Sequence, residues 1–128
     1  MERFGIYAAV AAGGALGSVA RAWLGEVVAG LVGAAFPWGT LLINLSGSWL
    51  IGWFAAATAL GAPLAGLAGW RAFVMVGICG GFTTFSAFSL QTLELLRAGE
   101  AGRAGAYVAG SVLACVLAVW AGFAMGGR

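Results

Sequence analysis

Four long apolar runs joined by short connections dominate this chain of 128 residues. They cover residues 4–28, 38–60, 72–96 and 104–125. A helix rises about 1.5 Å per residue and the hydrocarbon core of a bilayer is about 30 Å thick, so about 20 residues suffice to cross it. The sequence therefore predicts an all-α integral membrane protein, a single domain of four transmembrane helices. We expect the first run to be a span and not a cleaved signal peptide.

Charged side chains are too few to cover a soluble domain. They make up 8% of the chain, against 62% hydrophobic residues, whereas about 25% of an average soluble protein is charged. The six basic residues are all Arg, the four acidic ones are all Glu, and the sequence has no His. Without His and Asp the common catalytic triads and zinc sites are hard to assemble, so we expect no enzyme. The net charge of +2 argues against nucleic-acid binding.

Two further patterns concern packing. Small residues recur four apart within the runs, which predicts close helix contacts in lipid: Gly13 with Gly17, Ser48 with Gly52, Gly77 with Gly81, and Gly122 with Gly126. The two cysteines, Cys79 and Cys115, lie inside apolar runs, where free Cys behaves as a small hydrophobic residue. We expect neither a disulfide nor a metal clip between them.

The arginines give little orientation signal. An even number of spans puts Arg3, Arg71 and Arg128 on one side, and Arg97 and Arg103, with Arg21 near the surface, on the other. Arginine bias normally fixes the orientation of a membrane protein. A near balance fits a chain that inserts both ways round and pairs with its inverted copy, and it fits equally well a chain whose signal is merely weak.

Polar residues inside the runs are candidates for function, because hydrocarbon penalises them. In the second run Thr40, Asn44 and Ser48 recur at steps of four and share one helix face. The Asn44 amide offers two donors and an acceptor. It could bond an ion, or it could hold two helices together.

The third run contains an unusual polar segment, GGFTTFSAFS, at residues 80–89. Two glycines followed by two β-branched threonines predict a break in the helix, which would free backbone groups inside the membrane. Freed carbonyls can hold a cation, and the amides that open the next helix favour an anion. Phe85 and Phe88 lie three apart and share a face. Their electropositive edges could meet an anion, or the rings could simply pack.

Outside that segment, polar groups inside the runs are sparse. Tyr107 and Ser111 lie near the start of the fourth run, where Tyr107 could be an interfacial anchor. Arg21 could snorkel in a pair with Glu26 at the membrane rim, or it could create a positive vestibule that attracts anions.

These residues resemble the small bacterial fluoride channels called Fluc or CrcB, over nearly the whole chain. The resemblance rests on the Gly and small-residue pattern that ends at Arg21, on the segment PWGT at 37–40 leading to Asn44, and above all on residues 80–89. It implies an antiparallel, dual-topology homodimer with a broken third helix. A structural sodium ion at the dimer interface would be held by the main-chain carbonyls of Gly80 and Thr83.

The resemblance also implies a fluoride pathway with Arg21 near its mouth. Its lining would comprise Asn44, Thr84, Phe85, Phe88, Tyr107 and Ser111. Members of the family continue a track of hydroxyls along the fourth helix, where this chain has Cys115 and then Val119. The implied function is passive efflux of fluoride across the inner or plasma membrane of a bacterial cell.

Two other functions remain open. A four-span, proton-coupled multidrug exporter would need a titratable carboxylate deep in the membrane, and the candidates Glu26 and Glu94 lie near the ends of their runs. A structural assembly subunit would use the glycine rows alone. It would leave the Thr- and Phe-rich segment without a purpose.

Overall fold

A computed structural model describes residues 2–128, with side chains from Arg3 onward. The first span is one α-helix, Glu2–Val32, and the second is Trp38–Ala57. A 3-10 helix, Ala65–Trp70, leads to the third span, and the fourth span is Ala101–Gly126. Within residues 2–128 there is no strand. All four spans are long and apolar enough to cross a membrane, which confirms the predicted all-α, four-span class.

The third span is made of two halves. Its first half is a π-helical stretch, Ala72–Cys79, followed by one α-helical turn, Gly80–Phe82. Its second half is the α-helix Phe85–Arg97. Thr83 and Thr84 between them have extended backbones. The predicted break in this helix is therefore present.

Helix ends differ from the ends of the apolar runs by a few residues. The first helix extends through four further apolar residues to Val32 and is followed by Gly33, whose φ of 80° is the left-handed conformation common just after a helix. The second helix stops early, at Ala57. There the Arg71 guanidinium donates to the carbonyl oxygen of Ala55 (3.1 Å) and to Oγ1 of Thr58 (2.7 Å). A cation at a helix C-terminus satisfies the last carbonyls and complements the helix dipole.

Glycine faces bring the spans together in two pairs. The first span packs against the first half of the third, where a Cβ on Gly13 would lie 3.0 Å from the Cα of Gly77. The second span packs against the fourth, where a Cβ on Gly122 would lie 2.9 Å from the backbone nitrogen of Trp53. Backbones this close leave no room for a side chain. The small residues thus allow the close helix contacts that their spacing predicts for a protein in lipid.

The second span is the central helix of the bundle. In the most apolar 18-residue stretch of this span 39% of the residues are buried. The corresponding fractions in the first, third and fourth spans are 6%, 17% and 11%. The outer three spans therefore present most of their apolar side chains outward, as expected where lipid or another protein copy takes the place of water.

Replacing Gly122 by Val is expected to separate the second and fourth spans. The new side chain would collide with the backbone of Trp49 and Trp53, and overpacking of this kind costs about 1–3 kcal/mol. Gly110→Val is the matched control, because Gly110 lies on the same helix with nothing within 4 Å of its added Cβ. The free energy of unfolding in detergent, measured by denaturant titration, should fall only for Gly122→Val. Equal values for the two variants would contradict this packing.

Candidate ion pathway

The break in the third span is closed at both ends by threonine side chains. The Thr83 backbone N–H and hydroxyl both donate to the Cys79 carbonyl oxygen, at 2.9 and 2.8 Å, and complete the last turn of the first half. Thr84 is the N-cap of the second half, with its Oγ1 accepting from the Ala87 N–H at 3.1 Å. Thr is a preferred N-cap residue because its hydroxyl satisfies an otherwise unpaired amide.

Asn44 on the second span binds the extended backbone of the break directly. The Thr84 N–H donates to Oδ1 of Asn44 at 2.7 Å, and Nδ2 of Asn44 donates to the Thr84 carbonyl oxygen at 3.1 Å. One side chain thus pairs with both backbone groups of Thr84. Of the two roles open to this amide from sequence, the structure shows the joining of helices. A second N–H on Nδ2 is not used by these bonds.

These bonds leave two carbonyl groups without their usual helical donors. In a regular helix the Gly80 carbonyl would accept from the Thr84 N–H, and the Thr83 carbonyl from the Ala87 N–H. Those two amides instead donate to Asn44 and to the Thr84 hydroxyl. Gly80 is exposed on the bundle and Thr83 is half-buried. Neutral carbonyl oxygens are ligands that hard cations accept.

A cavity of about 320 Å³ lies at the break, between the second, third and fourth spans. It brings together most of the residues that the sequence singled out: Asn44, Gly80, Thr83, Thr84, Phe85, Phe88 and Ser111. Ser48 and Cys115 also line it, and its lining contains no charged residue. The Ser111 hydroxyl is buried there without a hydrogen-bond partner among the described residues. The site therefore offers an unpaired neutral donor next to the break.

The two phenyl rings occupy different positions in this cavity. Phe88 is 9% exposed and Phe85 is 78% exposed, so one ring lies inside the bundle and the other at its outer face. Their centroids are 5.4 Å apart with planes inclined at 45°. The Phe88 ring also lies 5.1 Å from that of Tyr107. Phe88 thus lies between the cavity and Tyr107 of the fourth span.

Tyr107 lies in the interior of the bundle. It is 1% exposed, and its hydroxyl donates to Oε1 of Gln91 at 2.9 Å. Gln91 lines a second cavity, of about 400 Å³, together with Thr40 and Glu94. Gln91 is not among the residues that the sequence singled out, although Phe85, Phe88 and Gln91 are spaced by three along one helix. Its amide offers N–H donors that the bond from Tyr107 leaves free.

Arg21 stands apart from both cavities, since it lines neither. Its side chain is half-buried, and its Nε is buried without a hydrogen-bond partner among the described residues. One turn earlier, the Ser18 hydroxyl donates to the Gly81 carbonyl oxygen at 3.4 Å. Glu26 is exposed and forms no ion pair with Arg21 in the described part of the chain. The snorkelling pair considered from sequence is therefore absent from residues 2–128.

A helix break beside a mostly apolar cavity with a few uncharged polar groups, inside four apolar helices, defines a small multi-pass membrane protein with an intramembrane site. The family described as CrcB-like protein, Camphor Resistance (CrcB), matches residues 8–123. A Rhodospirillum rubrum protein named Fluoride-specific ion channel FluC is 53% identical over 116 residues, covering 91% of this chain and 90% of the relative. Its namesake in Thermus thermophilus is 48% identical over 127 residues, covering 99% and 97%. This chain belongs to the CrcB family.

Asn44→Leu is expected to destabilise the break, because it leaves both backbone groups of Thr84 unpaired. Each unpaired buried group costs about 1–3 kcal/mol. Ser46→Ala is the control on the same helix, since the Ser46 hydroxyl donates only to carbonyls of its own helix, at 2.7 and 3.2 Å. Hydrogen exchange at residues 83–87, followed by mass spectrometry in detergent, should be faster in Asn44→Leu alone. Unchanged exchange would show that the break holds without Asn44.

Proposed function

We propose that this chain is a fluoride-selective channel that lets fluoride leave the cytoplasm passively. The observation that carries the proposal is the cavity at the helix break, lined by neutral donors and phenyl rings and by no charged side chain. The relatives named as fluoride-specific channels support it, because they match nearly the whole chain.

Fluoride is small and strongly hydrated, so a pathway must replace its water with protein donors. The Ser111 hydroxyl, the spare N–H of Asn44 and the first amides of helix Phe85–Arg97 are the donors nearest the break. The positive end of that helix dipole adds a fixed partial charge. Because none of these groups carries a full charge, an ion could leave as readily as it enters.

We propose that the route continues from the cavity past Phe88 and Tyr107 to Gln91. Ring edges would meet the ion while excluding water, and the Gln91 amide would receive it at the second cavity. Glu94 and Glu100 also line that cavity, and Arg103 pairs with Glu100 at 2.8 Å, which offsets one of the two carboxylates. In this scheme Arg21 acts only through its positive field near the mouth.

A second, inverted copy would complete the site. Gly80 and Phe85 are exposed in the single chain although they lie at the break, and a partner packed on this face would cover them. The freed carbonyls of Gly80 and Thr83 from two copies would supply neutral oxygens for one sodium ion. Sodium there would join the copies electrostatically and add positive charge near the anion route.

The dimer and its sodium ion can be tested on purified protein in detergent. Light scattering should give the mass of two chains, and a single-chain mass would contradict the dimer. Protein prepared throughout in choline salts should melt at a lower temperature than protein in sodium salts, with the difference restored by added sodium. Identical melting temperatures in the two salts would contradict a bound sodium ion.

The multidrug exporter is not favoured. Glu26 and Glu94 are exposed near the ends of their spans, and the cavity at the break contains no carboxylate. Proton-coupled exchange needs such a group where the substrate binds. The CrcB relatives also carry names of channels and not of exporters.

Fluoride flux from liposomes tests the channel directly. Liposomes containing purified protein and loaded with potassium fluoride should release fluoride rapidly once a potassium ionophore is added, whereas potassium chloride should be retained. Protein-free liposomes are the control for leak. Release that needs a drug and a proton gradient, or no release at all, would reject the proposal.

In the same assay, Phe85→Ile and Phe88→Ile are expected to lower fluoride flux without abolishing assembly. Losing a favourable ring edge worth about 1.4 kcal/mol at the barrier corresponds to about a tenfold slower rate. Phe123→Ile is the matched control, because Phe123 is 56% exposed on the fourth span and lines neither cavity. Wild-type flux in both cavity variants would remove the rings from the route.

A further inference from the structure

Three sulfur-bearing residues line the cavity beside the break. Met75 and Cys79 line it from the first half of the third span, and Cys115 lines it from the fourth. The chain has three methionines and two cysteines, so this one cavity gathers three of its five sulfur atoms. Met75 and Cys79 are four apart on one helical stretch, which places both on the same side. From sequence the cysteines are expected to be separate apolar residues, and only the fold places them with Met75 on one cavity.

Neither thiol is used in a covalent bond. Cys79 and Cys115 are free and not joined in a disulfide. The Cys79 carbonyl accepts two hydrogen bonds from Thr83, which fix its backbone in the last turn before the break. Cys79 is 2% exposed and Cys115 is half-buried, so a small ion would reach Cys115 first.

We propose that Met75, Cys79 and Cys115 form a binding site for a soft monovalent metal ion, Ag⁺ or Cu⁺, and that the bound ion blocks the pathway. Thioether and thiolate are the ligands that such ions prefer, and two or three of them suffice. A zinc site would need more, and residues 2–128 contain no group of three or more His, Cys, Asp or Glu residues able to hold a metal.

Charge balance favours a monovalent ion over a divalent one. When the ion binds, one thiol loses its proton to water, and a sulfur–metal bond replaces the sulfur–hydrogen bond. One thiolate, one thioether and one monovalent cation together carry no net charge. A neutral complex is the least costly one in a cavity without charged side chains.

The block rests on the proposed function, because it requires the cavity to lie on the ion route. Ser111 and Phe88 line the same space of about 320 Å³ as the three sulfurs. A metal ion held there would reduce the open volume.

Binding and block can be measured separately on the full protein. In detergent, with nitrate in place of chloride, silver nitrate should produce the ultraviolet absorption of a silver–thiolate bond and saturate at one ion per chain. In fluoride-loaded liposomes without chloride, the same silver concentration should stop fluoride release, and dithiothreitol should restore it. Absence of saturable binding at one ion per chain would overturn the site.

Variants identify the ligands. Cys115→Ser and Met75→Leu should each weaken silver binding at least tenfold and protect fluoride flux from silver, and Met75→Leu keeps the test possible if thiol variants fold poorly. Met125→Leu, an exposed methionine on the fourth span, should bind silver and be blocked like the original chain. Equal affinity in all three variants would overturn the site. Silver bound with unchanged flux would overturn the block alone, whereas the metal-free flux assay tests the channel itself.

Discussion

Two hydrogen bonds between the Asn44 amide and the backbone of Thr84 hold the interruption of the third span in place. If Thr84 returned to helical geometry, its N–H would donate to the Gly80 carbonyl oxygen. That oxygen would then no longer be free to bind another group. The second half of the span would also rotate, because each extended residue advances the chain about 3.3 Å in place of about 1.5 Å. The freed Gly80 carbonyl and the changed direction of the second half of the span follow from this pairing, whereas the Thr84 cap on the Ala87 N–H frees the Thr83 carbonyl.

The glycine contacts set where that pairing can occur. A Cβ on Gly47, one turn after Asn44, would meet the side chains of Phe82 and Thr83. The second span can therefore approach the break closely enough for the amide to reach Thr84. The lack of a side chain at Gly47 therefore allows both the close packing of the helices and the hydrogen bonds between Asn44 and Thr84. In hydrocarbon both are needed, because no water is present to bond a loose backbone group.

Much of the architecture could be predicted from local patterns. The lengths of the apolar runs predicted the four helices, and the Gly-Gly and Thr-Thr pairs predicted the break. Both features depend on residues that are neighbours in sequence. The bond from Tyr107 to Gln91 could not be predicted, since it joins two helices whose rotation is set by packing. The same holds for the Arg71 contacts that end the second helix, and for the placement of Met75 and Cys115 on one cavity. Whether the predicted pathway residues conduct fluoride stays a prediction.

Unequal helix lengths carry a consequence for the surrounding bilayer. The buried second span has 20 residues, a length of about 30 Å, whereas the first has 31 residues and reaches about 46 Å. A bilayer core of about 30 Å matches the central helix, so the longer outer helix must tilt or project into the headgroup region. Changes in membrane thickness would therefore act first on the periphery of the bundle. The interior, anchored by the shortest of the four spans, would be largely insulated from them.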